Sequence, residues 1–356
     1  MQGSYTWTTA APQVAVRVLS NMDRLPDRCG PHILDIELFP SNPVGVMRKV
    51  GTAINLYLKG FGRDVIFFNQ PEGLLFLLCA LRTILPLGRA RIIVFDIILP
   101  KPDQRLSARL VAWIKSLLLK RISLFILHLK EPGELERCYG ISRSKSVFVP
   151  FKVNSLERLS DIDTTDRGYI LAPGKSWRDY RTFCEAMAQV SYPAKILVPR
   201  SESECARHGT TSLDGAPLPS NVEVVNDDGS AASWMRFIAG ARLVVVPISP
   251  DAISAAGNGT YILALAMGKC LVITDCPGAR GILEDGKHAL IVPQQNPKAL
   301  AAVIRRAWEN DDLRRQVGEG GKAYALTLGG EQRLHNDLIR EVIRYLERQG
   351  RLRHGS

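Results

Sequence analysis

The sequence predicts an α/β protein built from two parallel-sheet domains. Its 356 residues exceed what one hydrophobic core usually supports, so two domains of about 150–200 residues are expected. Short apolar segments rich in β-branched residues alternate with helical patterns, which is typical of parallel sheets covered by helices. A polar segment at 154–167, with four acidic residues and no strand pattern, is predicted to link the two domains.

Twelve segments fit the strand pattern, six on each side of the linker. Each is bounded by polar or turn-forming residues and followed by a helical pattern. They lie at 14–19, 33–38, 64–68, 91–95, 124–127 and 146–149 in the first half, and at 168–171, 195–198, 222–225, 243–246, 271–274 and 289–292 in the second.

The last helical pattern, at 331–349, repeats Leu334, Leu338, Val342 and Leu346 on one face. A closing helix of this kind is expected to cross back to the first domain. The predicted organisation is therefore a first domain at 1–155, a second domain at 156–330, and the returning helix with a polar tail at 331–356.

Composition and charge exclude several function classes. The net charge of +11 calls for an anionic partner, but no nucleic-acid motif accompanies it, so a phosphorylated small molecule and a membrane surface are favoured over nucleic acid. The N-terminus lacks a signal pattern, and no apolar run approaches the roughly 18 residues of a membrane span. Seven scattered cysteines without a C-x-x-C pair argue against a disulfide framework or a zinc site and favour a reducing, cytoplasmic location.

A glycine-rich loop carries the main binding prediction. It lies between the strand at 243–246 and a helix that starts near Tyr261, and it contains Gly257, Asn258, Gly259 and Thr260. Glycines allow the backbone to approach a ligand, and the free N–H groups and positive dipole end of the helix suit a phosphate or diphosphate. A tight strand-to-helix turn that needs small residues would give the same pattern.

Other candidate residues follow predicted strands, at the edge where ligands of α/β sheets collect. Gly174, Lys175 and Arg178 are predicted to bind a diphosphate, with solvated surface charge as the alternative reading of the two cations. Asp96 is a candidate proton acceptor, although it is equally suited to capping the following turn. His128 is interpreted as a core or loop histidine.

Several of these motifs resemble the C-terminal domain of glycosyltransferase family 4, which has the GT-B fold. The similarity lies in the loop at 257–260, in 263–269, in Glu284-Asp-Gly286 and in 290–293. The segment 170–175 with Arg178 resembles the strand and basic loop that open that domain. The resemblance extends over about 124–325 and barely touches the first 120 residues.

The resemblance implies two Rossmann-like domains facing across a cleft, with a nucleoside-diphosphate sugar held mainly by the second. It implies transfer of the sugar to an acceptor hydroxyl of a glycan, a lipid-linked saccharide or a small glycoside, with retention favoured and no cofactor. In this scheme Asn226 lies near the nucleobase of the donor, although a plain loop explains its position as well. If the reaction inverts, Asp96 is the general base that takes the acceptor proton. Lys175, Arg178 and the loop amides would stabilise the leaving group in place of a metal ion.

The sequence departs from the family at five positions, one of which is Gly281, where the family usually has an acidic residue before the Glu-Asp-Gly turn. The usual pair of glutamates falls on Ala255 and Leu263, a lysine at 175 replaces the arginine, and Phe95 stands where a histidine often precedes the aspartate. Lysine keeps the charge but lacks the bidentate geometry of arginine. A sugar-nucleotide epimerase and a non-catalytic partner subunit therefore remain alternative functions.

A membrane contact is predicted from the segment 104–130, which has six Lys or Arg residues and no Asp or Glu. Leu106, Leu110, Trp113 and Leu117 form one helical stripe within it. A basic amphipathic helix of this type can lie among the headgroups of an anionic leaflet, here the inner face of the plasma membrane. The same stripe would also suit a helix that packs on its own sheet.

Overall fold

The computed structural model describes residues 15–41, 43–70, 73–174, 176–198 and 217–352. Within these ranges the chain forms two mainly parallel sheets, each with helices on both faces. Every predicted strand is present, with ends that differ by at most two residues from the prediction. The predicted two-domain α/β fold class is confirmed.

The first sheet has seven described strands in the order β2-β3-β1-β4-β5-β6-β7. All neighbours are parallel except β2 and β3, and the short β2 edge strand was not predicted. The strands are β1 Ala15–Ser20, β2 Arg28–Cys29, β3 His32–Leu38, β4 Val65–Asn69, β5 Arg91–Phe95, β6 Leu124–Leu127 and β7 Ser146–Phe148.

Side chains alternate between the two faces of this sheet, as the strand geometry requires. Ile66 and Phe68 pack under four helices, whereas Val65 and Phe67 pack against the closing helix. The four helices are α1 Val46–Lys59, α2 Gly73–Ile84, α3 Leu106–Leu119 and α4 Gly133–Tyr139. The predicted return of the last helix to the first sheet is confirmed, with its buried residues on the same face as Phe67.

The second sheet has six described strands in the order β10-β9-β8-β11-β12-β13, all parallel. The strands are β8 Ile170–Pro173, β9 Ala194–Val198, β10 Val222–Asn226, β11 Leu243–Val246, β12 Cys270–Thr274 and β13 Leu290–Val292. The helices described after β8 are α5 Tyr180–Met187, α6 Ala231–Gly240, α7 Asn258–Ala266, α8 Pro297–Glu309, α9 Asp311–Leu328 and the closing α10 Glu331–Arg348.

The predicted domain boundary at 155 lies between the two sheets, just before a 3₁₀ helix at Leu156–Asp161. The loop after β11 also joins the domains, since Ile253 is buried in the core of the first sheet. Beside it, Ser254 Oγ accepts a hydrogen bond from Leu99 N at 3.2 Å. These contacts fix the start of the glycine-rich loop against the first domain.

Candidate active site in the cleft between the sheets

A cleft of about 690 Å³ lies between the two domains. It is lined by residues that follow the carboxyl ends of parallel strands in both sheets, where ligands of α/β proteins collect. The predicted residues that line it are Asp96, Arg178, Gly257, Asn258, Gly259 and Thr260. Asn226 lines a neighbouring cavity of about 980 Å³ instead. Lys175 lies outside the described residues.

The glycine-rich loop leads directly into α7. Gly257 is the N-cap residue, with φ 85° and ψ −5°, and it offers no side chain to bond the first helical amides. A Cβ at this position would lie 2.9 Å from Ile248 Cδ1. The first amides of a helix lack intrahelical acceptors, and Asn258 and Gly259, which carry them, line the cleft. The arrangement is suited to an anionic ligand.

Arg178 connects the two loops that were predicted to bind a diphosphate. Its side chain is buried, and Nη2 donates to Thr260 Oγ1 at 3.3 Å. On the other side, Nε donates to Pro173 O at 3.0 Å and Nη1 to Ser176 O at 2.7 Å. Burial lowers the pKa of the guanidinium. Arg178 therefore holds the end of β8 against the start of α7.

Gly174 leaves space for the side chain of Arg178 and is not among the residues that line the cleft. A Cβ at Gly174 would lie 2.2 Å from Arg178 Cγ, so the arginine can fold back over the strand end only if residue 174 has no side chain. Direct contact of Gly174 or Arg178 with a ligand stays a prediction. The geometry shows that both residues shape the loop.

Asp96 follows β5 and faces the cleft from the first domain. Its φ of 50° is unusual for a residue with a side chain. The backbone N–H donates to Ile126 O at 3.0 Å, and Oδ2 accepts a hydrogen bond from Gln70 Nε2 at 3.1 Å. These contacts hold the carboxylate at the rim of the site, and its role as a base stays a prediction.

His128 is a cleft residue that the sequence did not identify as functional. It is 2% exposed, as expected for a core histidine, yet it lines the cleft. Nδ1 donates to Val149 O at 2.7 Å, and Nε2 has no hydrogen-bond partner among the described residues. Burial lowers the pKa of the imidazole. The available signal was its position after β6, equivalent to that of Asp96 after β5.

Two further cleft residues come from distant parts of the chain. Lys152 Nζ and Glu331 Oε1 form an ion pair at 3.1 Å, which places the start of the closing helix at the cleft. The positions of the absent family glutamates, Ala255 and Leu263, also line it, so this part of the wall is apolar. Nothing in their local sequence pattern distinguishes Lys152 and Glu331 from other surface charges.

The described ranges contain no group of three or more His, Cys, Asp or Glu side chains arranged to hold a metal ion. They also contain no helix with both the length and the apolar character needed to cross a membrane. Independence from metal stays a prediction.

Comparison with known proteins agrees with this architecture. Residues 175–310 match the family model for the glycosyl transferases group 1. None of the curated proteins compared with the sequence matched it.

Solved structures match over most of the chain. A glycosyltransferase from Rickettsia africae is 14% identical with a TM-score of 0.60, and the match covers 95% of this chain and 99% of that one. Sucrose-phosphate synthase from Thermosynechococcus elongatus is 15% identical with a TM-score of 0.62, over 95% and 90% of the two chains. HepE from Anabaena, in complex with UDP and glucose, is 16% identical with a TM-score of 0.60, over 88% and 87%. The second domain of this chain is therefore similar to the glycosyl transferases group 1, and the chain as a whole has the GT-B fold.

Proposed function

We propose that this protein transfers a sugar from a nucleoside diphosphate to an acceptor hydroxyl. The observation that carries the proposal is the position of an uncapped helix N-terminus, at Gly257 to Thr260, across the cleft from Asp96. The complex of HepE with UDP and glucose supports a sugar nucleotide as the ligand of a cleft with this fold. The acceptor belongs to bacterial polysaccharide, glycolipid or glycoside synthesis.

In the proposed reaction the bond between the sugar and the diphosphate breaks, and a bond from the sugar to the acceptor oxygen forms. The amides of Asn258 and Gly259, with Lys175 and Arg178, stabilise the negative charge that develops on the leaving diphosphate. In a retaining reaction, which the resemblance favours, that diphosphate takes the acceptor proton. In an inverting reaction Asp96 takes it.

A binding and turnover experiment tests this proposal. UDP, GDP and ADP are screened by thermal shift, since a ligand at 100 times its dissociation constant adds about 2.7 kcal/mol of stability. The sugar conjugates of the binding diphosphate are then incubated with and without acceptors. Acceptor-dependent release of the diphosphate supports transfer. An isomerised donor without acceptor would indicate an epimerase, and binding without any turnover a partner subunit.

Replacement of Lys175 by alanine is expected to weaken nucleoside-diphosphate binding by about 1.5–3 kcal/mol, the scale of a charge-assisted hydrogen bond. The fold should be unaffected. Calorimetric titration measures the affinity, and Lys298→Ala, an exposed lysine on α8, is the matched control. Equal affinity of the two variants for the nucleoside diphosphate would show that Lys175 does not contribute to the binding site.

Activity is expected to survive EDTA, because helix amides and basic residues are proposed to neutralise the diphosphate in place of a metal ion. Turnover is measured in metal-free buffer, with and without added manganese or magnesium. Loss of turnover on chelation, with recovery on addition of either ion, would contradict this mechanism.

The proposed site of action is the surface of an anionic membrane. In the structure, the predicted stripe on α3 faces away from the sheet, with Leu106 82%, Leu110 56% and Trp113 58% exposed. A second exposed stripe lies on α1 and includes Met47 at 84% and Leu58 at 60%. The alternative in which the α3 stripe packs on its own sheet is therefore wrong.

Charge complementarity favours lipid headgroups as the occupant of this surface. The helices α1, α2 and α3 contain no Asp or Glu, and their basic residues include Arg48, Lys49 and Arg109. Each basic residue near an anionic leaflet adds about 1 kcal/mol, and each apolar side chain that becomes buried adds about 1.5–3 kcal/mol. Several such residues suffice for reversible binding without a membrane span.

The double variant Met47→Glu, Trp113→Glu is expected to lose most binding to vesicles of anionic lipid while it remains folded, since both side chains are exposed. Leu326→Glu, a 51% exposed leucine on α9, is the control. Sedimentation is compared for anionic and neutral vesicles at low and high salt, because salt screens the basic residues. Equal recovery of the wild-type protein in the supernatant under all four conditions would contradict the proposal.

A further inference from the structure

One ring nitrogen of His128 is hydrogen-bonded within the protein, and the other has no partner among the described residues. Nδ1 donates to Val149 O, so the proton lies on Nδ1 and the lone pair lies on Nε2. Nε2 is buried and has no partner among the described residues, although buried polar groups are nearly always hydrogen-bonded. An acceptor of this kind at the wall of a cleft indicates a ligand that donates a hydrogen bond.

Two aromatic rings hold the imidazole in place. It packs edge-to-face against Phe95, with ring centroids 5.0 Å apart, and against Phe151, with ring centroids 4.8 Å apart. The two nitrogens of an imidazole point in nearly opposite directions. Since Nδ1 is tied to the backbone after β7, Nε2 is directed away from that backbone, and the residue lines the cleft.

The location of His128 suits a contact with the sugar of the donor rather than with its nucleoside. Phe151 also lies beside the glycine-rich loop, because a Cβ at Gly259 would be 3.8 Å from Phe151 Cε1. Phe151 therefore lies beside both His128 and the glycine-rich loop that carries the proposed phosphate site, so His128 is close to the part of a ligand next to the phosphates. The Asp96 side chain also lines this cleft.

We propose that His128 Nε2 accepts a hydrogen bond from a hydroxyl group of the sugar that is transferred. This inference rests on the proposed function and adds a specificity residue to it. The imidazole stays uncharged because burial lowers its pKa, so Nε2 keeps its lone pair. His128 thus selects sugars with a hydroxyl at one ring position, and it makes no contact with the diphosphate.

Two substitutions of His128 test the contributions of its two ring nitrogens separately. His128→Asn places an amide nitrogen where Nδ1 lies and can keep the bond to Val149 O, but it has no acceptor at the Nε2 position. His128→Gln extends an amide to the Nε2 position. Both lose the ring that packs on Phe95 and Phe151, so the loss of the ring is common to the two variants.

Calorimetry is carried out with the diphosphate that binds best among UDP, GDP and ADP, and with its glucose, mannose and N-acetylglucosamine conjugates. His128→Asn is expected to bind the diphosphate within twofold of the wild type and the preferred sugar conjugate about tenfold more weakly. His128→Gln should regain most of that loss. Monodeoxy forms of the donor complete a double-mutant cycle, and one of them should bind wild type and His128→Asn equally.

Wild-type affinity of His128→Asn for the conjugate would overturn the inference, as would a constant difference between the two proteins across every deoxy donor. Equal weakening for the diphosphate and for its conjugate would also overturn it, because this would indicate a general distortion of the site. Failure of the wild-type protein to bind any of the diphosphates or conjugates would refute the proposed function, and this inference with it.

Discussion

The variant Arg178→Met is expected to lower the free energy of unfolding by about 3–5 kcal/mol. The guanidinium is buried and donates to Pro173 O, Ser176 O and Thr260 Oγ1. Methionine fills much of the space but leaves the buried Pro173 O and the part-buried Ser176 O and Thr260 Oγ1 without this donor, at a cost of about 1–3 kcal/mol for each group that water does not reach. Denaturant unfolding of the variant and the wild type measures the loss.

Arg181→Met is the matched control, because Arg181 has a side chain that is 78% exposed and bonds only its helical neighbour Glu185 in the described structure. Its effect should stay within about 0.5 kcal/mol. The loss of stability in Arg178→Lys should fall between those of the two methionine variants. Lysine keeps the charge but lacks the planar guanidinium that reaches three acceptors at once. Stabilities of Arg178→Met and Arg181→Met that agree within error would show that Arg178 does not hold the loops together.

The variant Gly257→Ala is expected to destabilise the protein by about 2–3 kcal/mol and to abolish detectable nucleoside-diphosphate binding. The left-handed φ of 85° costs about 1–2 kcal/mol for a residue with a Cβ. The added Cβ also lies 2.9 Å from Ile248 Cδ1 and 3.3 Å from Val246 Cγ1, so the loop must move. Any such shift displaces the amides at the start of α7.

Gly140→Ala isolates the backbone contribution, because Gly140 has a left-handed φ of 69°, open space around the added Cβ and a position outside the cleft lining. It should cost only the 1–2 kcal/mol of left-handed strain and leave the site intact. Thermal unfolding and calorimetric titration with the best-binding nucleoside diphosphate are compared for the two variants. Retention of wild-type affinity by Gly257→Ala would show that the loop geometry is not needed for binding.

The amphipathic stripe on α3 shows a limit of sequence patterns. Leu106, Leu110 and Trp113 recur at helical spacing, which shows that they share one face of the helix. The pattern does not show whether that face meets the sheet or the solvent. In the structure Ala112 and Leu119 are the buried residues of α3, and the stripe is exposed.

The cleft likewise contains residues that the sequence predicted and one that it did not. The glycine-rich loop and Asp96 were predicted because each follows a strand directly, and the carboxyl ends of parallel strands meet at one edge of a sheet. The sequence could not assign His128, because a buried histidine after an apolar strand is usually fully bonded. Its unpaired nitrogen follows from the position of Val149 O, and that position depends on how β6 and β7 pair.

Twelve of the thirteen described strands, the order of strands and helices, the closing helix and the glycine-rich turn were predictable from the sequence alone. Each of these depends on the properties of neighbouring residues along the chain, such as periodicity, β-branching and the freedom of glycine. The three-dimensional fold was needed to show that Arg178 is buried across two loops, that Asn226 lines a neighbouring cavity, and that Lys152 meets Glu331 at the cleft. These arrangements depend on contacts between segments far apart in the chain, and the pattern of a single segment does not specify which partner covers it.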